Sequence, residues 1–160
     1  MGTLEEFVKE VDSVVMVIFH QTGEILPMWH TVHANGEIKI LPNPSVISKS
    51  LVSKIMRKWF AINEVVRYVY VNEEWSVMAK TEDVSSVKDH CETQSLEFHP
   101  DRVEILMYSA EDDSGQVTAS RQIIREDGKL PALGELEITR ASVSEGRFVG
   151  MLAPRASAMQ

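Results

Sequence analysis

The sequence predicts an α+β domain: a mostly antiparallel β-sheet of about six strands and two hairpins, with two helices packed on one face. Three observations lead there. Two early segments space their apolar residues by three and four. An Asn35-Gly36 pair lies between two runs of alternating hydrophobicity. From Val65 onward the apolar residues recur at a spacing of two, with no third helical run.

The first helix is predicted over residues 4–19. Leu4, Phe7, Val8, Val11, Val15, Ile18 and Phe19 form one stripe, and Thr3 with Glu6 has the spacing of a capping box. Val14, Val15, Val17 and Ile18 are β-branched, so residues 14–19 would also suit a strand. "HQTGE" then ends the pattern at Gly23.

Asn35-Gly36 reads as a two-residue type I′ turn, in which both positions need positive φ. Such a turn sets His33 opposite Ile38, Thr31 opposite Ile40 and His30 opposite Leu41. Trp29, Thr31, His33, Ile38 and Ile40 would then share the buried face. Pro42 and Pro44 close the hairpin. Asn43 and Pro44 offer an N-cap and first turn for a second helix whose stripe is Ile47, Leu51, Val52, Ile55, Met56, Trp59 and Phe60. Lys49, Lys54, Arg57 and Lys58 fall on its other side, which reads as a solvated face.

Residues 65–80 read as a long strand. One face carries Val65, Arg67, Val69, Val71, Glu73, Trp75 and Val77. The polar stretch 81–101 is long for a connection inside one domain, which is the pattern of a lid or a mobile loop. "RVEILMYSAE" and "QVTASRQIIRE" follow as a hairpin across "DDSG", and "ELEITR" as a short strand. Residues 1–140 read as one domain. Residues 141–160 read as a C-terminal tail in which "GRFVGML" would add an edge strand.

Composition narrows the function classes. The net charge is −8; residues 1–80 carry 8 basic and 9 acidic groups, residues 81–160 carry 8 and 15. An acidic half without a Lys/Arg stripe repels phosphate backbones, so direct nucleic-acid binding is not expected. No apolar run approaches the roughly 20 residues that span a bilayer. "VVMVIF" is short and follows acidic residues rather than a positive start, so neither a membrane contact nor a leader is expected and the chain reads as cytoplasmic. Cys91, beside His90, is the one cysteine, which excludes an internal disulfide and a cysteine-built zinc cage. His30, His33, Glu37 and His99 are the nearest approach to a metal set. Positions three apart on a strand point to opposite faces, so no metal or other cofactor is expected.

Neither standard phosphate loop nor a nucleophile elbow is present, and no catalytic residue is assigned. The one suspicious neighbourhood joins Glu73, a carboxylate among apolar strand residues, to "LEFHPDRVEILMY". Glu73, Trp75, His99, Asp101 and Arg102 are the candidate binding corner, with Arg102 as the expected partner of Glu73. The favoured function is a small non-catalytic binding or accessory protein acting on a protein partner, a second copy of itself or a small ligand. The competing classes are a small enzyme with a Glu73/His99 acid–base pair, and an acidic inhibitor that mimics nucleic acid toward a basic partner.

Overall fold

The computed structural model describes residues 2–43, 48–77, 100–140 and 150–152. Its described elements run α1 (Leu4–Thr22), β1 (Met28–His33), β2 (Ile38–Pro42), α2 (Lys49–Ile62), β3 (Val65–Val77), β4 (Arg102–Asp112), β5 (Gly115–Ile124), β6 (Ala132–Leu133) and β7 (Glu137–Thr139). The strands make a seven-stranded sheet in the order β2-β1-β3-β4-β5-β6, with β7 also on β5. All pairings are antiparallel. The expected α+β class therefore holds.

The predicted capping box forms. Glu6 N–H donates to Thr3 Oγ1 at 3.1 Å and Thr3 N–H to Glu6 Oε2 at 3.0 Å, so two groups that no helical turn can satisfy are paired. The β-branched second half stays helical to Thr22, where Gly23 caps it in the left-handed region. Packing of the stripe against the sheet outweighs the weak strand preference.

The first hairpin departs from its expected turn. Gly36 N–H donates to the His33 carbonyl at 2.8 Å and His33 N–H to the Glu37 carbonyl at 2.9 Å. Asn35 is not in the positive-φ region, whereas Gly36 is, at φ 87°. This is a three-residue connection that ends in a glycine bulge rather than a type I′ turn. One more loop residue slips the register by one. Val32 faces Ile38, Thr31 faces Lys39, His30 faces Ile40 and Trp29 faces Leu41. Ile38 and Ile40 therefore leave the Trp29 face and stand 58% and 54% exposed beside Val32 and His30.

The second helix also starts later than expected. Ser48 is its N-cap, accepting from Leu51 N–H at 3.2 Å. Asn43 instead accepts from the Trp29 indole N–H at 2.9 Å; Pro44 to Ile47 lie outside the described residues.

The two helices do not share a face of the sheet. Leu4, Phe7, Val8, Val11, Val15 and Phe19 of α1 pack on Val69, Val71, Leu106, Tyr108, Val117 and Ala119. Val52, Met56 and Phe60 of α2 pack on Trp29, Tyr68 and Tyr70. Val69 and Val71 alternate with Tyr68 and Tyr70 along β3, so the two cores lie on opposite sides. The expected placement on one face is thus corrected. The reason is visible in β3 itself: "YVYV" is apolar at every position, and a strand buried on both sides needs a cover on both.

Around Trp29 the rings of Phe60, Tyr68 and Tyr70 lie with centroids 5.5, 5.8 and 4.5 Å away. Each such pair adds about 0.5–1.5 kcal/mol beyond the area it buries. The β4–β5 hairpin joins as expected across Asp113-Ser114, and Glu137–Thr139 falls within the predicted last strand. The short β6 adds a seventh strand inside what reads as a turn-rich connection. Residues 81–99 of the long polar stretch lie outside the described residues. So do 141–149 and 153–160 of the tail; Gly150–Leu152 are described and are not in a strand.

The α1 core holds one charged group of the helix stripe. Asp12 is 4% exposed, yet its carboxylate accepts from Tyr108 O–H at 2.6 Å, Arg121 Nε–H at 2.8 Å and Arg121 Nη2–H at 2.7 Å. Arg121 Nη1–H reaches the Gly134 carbonyl at 2.7 Å. Arg121→Met would strand a buried carboxylate, so it should lose roughly 3–5 kcal/mol in urea unfolding, while the double change Asp12→Leu/Arg121→Met should lose less. A double loss equal to the sum of the Asp12→Leu and Arg121→Met losses would show that the pair is not coupled.

Candidate functional site

The predicted corner lies where β3, β4 and β5 run past the end of α1. Register carries Glu73, Trp75, Arg102 and Glu104 to the α1 face of the sheet: Glu73 pairs Leu106, Trp75 pairs Glu104, and Val77 pairs Arg102. The pairing is unbroken from Tyr68 to Val77, so no bulge turns Glu73 outward. Its side chain is 24% exposed.

Glu73 works as a bracket. Its Oε1 accepts from the Ile25 backbone N–H at 2.9 Å, which ties the α1–β1 connection to β3. Its Oε2 lies 3.7 Å from Arg125 Nη2. Arg125 in turn holds Glu104 through two 2.8 Å hydrogen bonds. The hydrogen bonds to Glu104 and the charges of Glu104, Glu73 and Glu24 keep this guanidinium more firmly protonated than usual, against a smaller effect of burial.

Arg102 is not the partner of Glu73. Its guanidinium stands over the Trp75 ring, 5.1 Å from the centroid. Asp101 is exposed beside it, and His99 lies outside the described residues. The corner therefore brings Trp75 and Arg102 together and joins Glu73 to Arg125 and Glu104. Sequence reasoning missed Arg125 and Ile25, whereas Glu104, in "LEFHPDRVEILMY", reads as a strand residue able to pair with a charge on a neighbouring strand, as it does with Arg125. Arg125 follows an apolar run in "QIIRE" at the same alternation as Arg121 and Ile123, which was the available signal.

A second charged site stands at the other end of α1. Arg67 Nε–H and Nη2–H donate to Asp112 Oδ2 at 2.9 and 2.6 Å, and Ser114 N–H donates to Asp112 Oδ1 at 2.8 Å. Burial opposes ionisation of Asp112, but the hydrogen bonds from Ser114 and Arg67 outweigh it and lower its pKa. Arg67 also lies over the Phe7 ring at 5.8 Å.

Two adjoining clefts meet at Arg67. One, of about 320 Å³, runs between α1 and the first hairpin and is lined by Phe7, Glu10, Val32, Gly36, Ile38 and Arg67. The other, of about 500 Å³, is bordered by Thr3, Glu5, Asp112, Ser114 and Arg140. Arg140 Nε–H donates to Glu5 Oε1 at 2.7 Å.

The histidines face apart, as their spacing predicts. His33 lies against Trp59 of α2, with Nδ1 2.7 Å from the Asn63 carbonyl and Nε2 3.1 Å from Thr31 Oγ1. His30 shares the opposite face with Val69 and Ile40. Among the described residues no group of three His, Cys, Asp or Glu side chains could hold a metal ion. Among the same residues no helix is long and apolar enough to cross a membrane. No family model, curated protein or solved structure matches the chain.

His30, outside both charged sites, makes the stability of the fold depend on pH. It is 3% exposed, and burial pushes its imidazole down to about 4. The unfolded chain, whose histidine titrates near the ordinary 6.5, binds the extra proton between those two values. Stability from the neutral ring is therefore complete above the unfolded value and is lost as pH falls toward about 4, by on the order of 3 kcal/mol. Urea unfolding across this range should show a slope that flattens in His30→Leu; an unchanged slope would mean the ring is not held neutral.

The corner makes its own prediction. Arg125→Leu should cost about 1 kcal/mol and show measurable coupling to Glu73→Leu in a double-mutant cycle. Arg102→Leu, which breaks an exposed stack on Trp75, should cost under about 1 kcal/mol and add independently to Glu73→Leu. Coupling of Glu73 to Arg102 rather than to Arg125 would reject the observed pairing.

Proposed function

We propose that the chain is a small, cytosolic, non-catalytic binding or accessory protein, and that the cleft between α1 and the first hairpin is where it takes a small ligand. The observation that carries this reading is the use to which Glu73 is put. Glu73, the carboxylate that the sequence offers for acid–base work, binds a backbone N–H and faces an arginine already shared with Glu104. A group so engaged holds a loop in place. A catalytic acid or base needs its proton-exchanging oxygen directed at a substrate.

The cleft has the composition of a ligand site. Phe7, Val32 and Ile38 supply apolar walls, and Arg67 and Glu10 supply polar groups that fix orientation. Arg67 is held rigid by Asp112, so its position is set before a ligand arrives.

A fragment set screened by protein-observed NMR tests the reading. Bound fragments should move the amide signals of Phe7, Gly36 and Ile38. Ile38→Glu, which changes an exposed wall and leaves the core intact, should abolish these shifts, and Glu73→Gln should leave them unchanged. Fragments that gather at Trp75 and Arg102 and need Glu73 would overturn the proposal in favour of a site at the charged corner.

A further inference from the structure

The cleft between α1 and the first hairpin is built from two rows of side chains. Arg67 on β3 pairs with Val32 on β1, and Val32 pairs with Ile38 on β2, so these three stand side by side across the sheet as a floor. Thr3, Phe7 and Glu10 follow one stripe from the start of α1 and form the wall. The space is open at the hairpin turn, where a Cβ added to Gly36 would meet nothing within 4 Å.

An arginine in a cleft ordinarily marks an anion site. Arg67 does not suit that role, because its charge is already matched. Asp112 Oδ2 accepts from its Nε–H and Nη2–H, and the pair is buried. Nη1 is what remains. Among the described residues no acceptor meets it, yet no buried side-chain nitrogen or oxygen lacks a partner, so Nη1 opens onto the space that Arg67 lines. A neutral oxygen suits this donor. A second carboxylate there would be repelled by Asp112.

The positive end of α1 is matched in the same way. Thr3 and Glu6 close the capping box, Glu5 and Glu6 lie in the first turn, and Glu5 holds Arg140. Of the two charged residues that line the cleft, Glu10 is the one left uncommitted. It is exposed, and among the described residues it has no hydrogen-bond or ion-pair partner.

We propose that the cleft takes a small organic cation, an apolar body about the size of an aromatic ring that carries a protonated amine for Glu10 and a neutral oxygen for Arg67 Nη1. The volume of about 320 Å³ leaves room for that body between Phe7, Val32 and Ile38. The assignment rests on the reading of this cleft as a ligand site and adds the sign of the ligand's charge.

Three compounds with the same ring and ether oxygen test it. Phenoxyethylamine is a cation at neutral pH, phenoxyethanol is uncharged and phenoxyacetate is an anion. Each is titrated into the full chain and followed by the amide signals of Phe7, Gly36 and Ile38. The amine should bind at least about threefold tighter than the alcohol, the size expected of an exposed ion pair, and the acid should bind most weakly. Glu10→Gln, a change at an exposed helix position, should remove the preference for the amine. Glu126→Gln removes an exposed acid outside the cleft and should leave the preference as it is. An acid that binds here as tightly as the amine would overturn the proposal and leave the cleft a ligand site. So would a preference that falls equally in both variants, because the cause would then be overall charge. If none of the three compounds moves these signals, the proposal falls. Fragments of another class that do move them would keep the cleft reading, and no fragment at all would remove both.

Discussion

The carboxylate of Asp12 sets how the α1 layer meets the sheet. It sits on the apolar stripe between Val8 and Val15, where an unpaired charge would cost several kcal/mol. Two hydrogen bonds from Arg121 on β5 and one from Tyr108 on β4 offset that cost. Neither donor can be met if the helix rotates by a residue or shifts by a turn. Burial of the Tyr108 hydroxyl and the adjacent carboxylate also push that phenol's pKa up, so it stays a donor. Fixing α1 over β3, β4 and β5 leaves the outer part of the first hairpin uncovered. The exposure of Ile38 and Ile40, and the cleft between Phe7 and Ile38, follow from where Asp12 is anchored.

The sheet is a partition between two cores because β3 is apolar on both sides. β1, its neighbour, is buried on both sides too: Trp29 and Thr31 face α2, whereas His30 and Val32 face the α1 side. Near the start of β3 the pairing with β1 shifts between Val32 and His33, which lets Val65 join the α2 core while Arg67 faces α1. That small irregularity puts His33 under Trp59 and frees Arg67 to reach Asp112.

Local chemistry was legible in the sequence where one element decides it. The capping box at Thr3 and Glu6 and the hairpin across Asp113-Ser114 depend on residues a few positions apart. So does the alternation along β3. What was not legible depends on register summed across several strands. One extra residue at Asn35-Gly36 moved Ile38 and Ile40 to the other face. Arg125 rather than Arg102 reached Glu73 because the pairing runs through β4 to the end of β5. Asp12 and Arg121 could have been noticed as opposite charges on two apolar faces, but a helix face and a strand face carry no shared register in a sequence. His99, Cys91 and most of the long polar stretch lie outside the described residues, so the acid–base pair and the thiol rest on sequence alone.

The two cores are built by different means, and this bears on how each face can act. The α1 side contains two buried or half-buried ion pairs, Asp12–Arg121 and Arg67–Asp112, with directional bonds that hold one arrangement. Moving α1 would break several charge-assisted bonds at once, so clefts on that side suit a ligand that enters a preformed space. The α2 side is packed from Trp29, Phe60, Tyr68, Tyr70, Met56 and Met151. Such contacts are non-directional, and thioethers adapt to changes of shape at modest cost. Among its polar groups, Arg57 and Glu111 contact the backbone of the 150–152 segment. A change in side-chain shape is therefore absorbed more easily on this face than any movement on the face that Asp12 anchors.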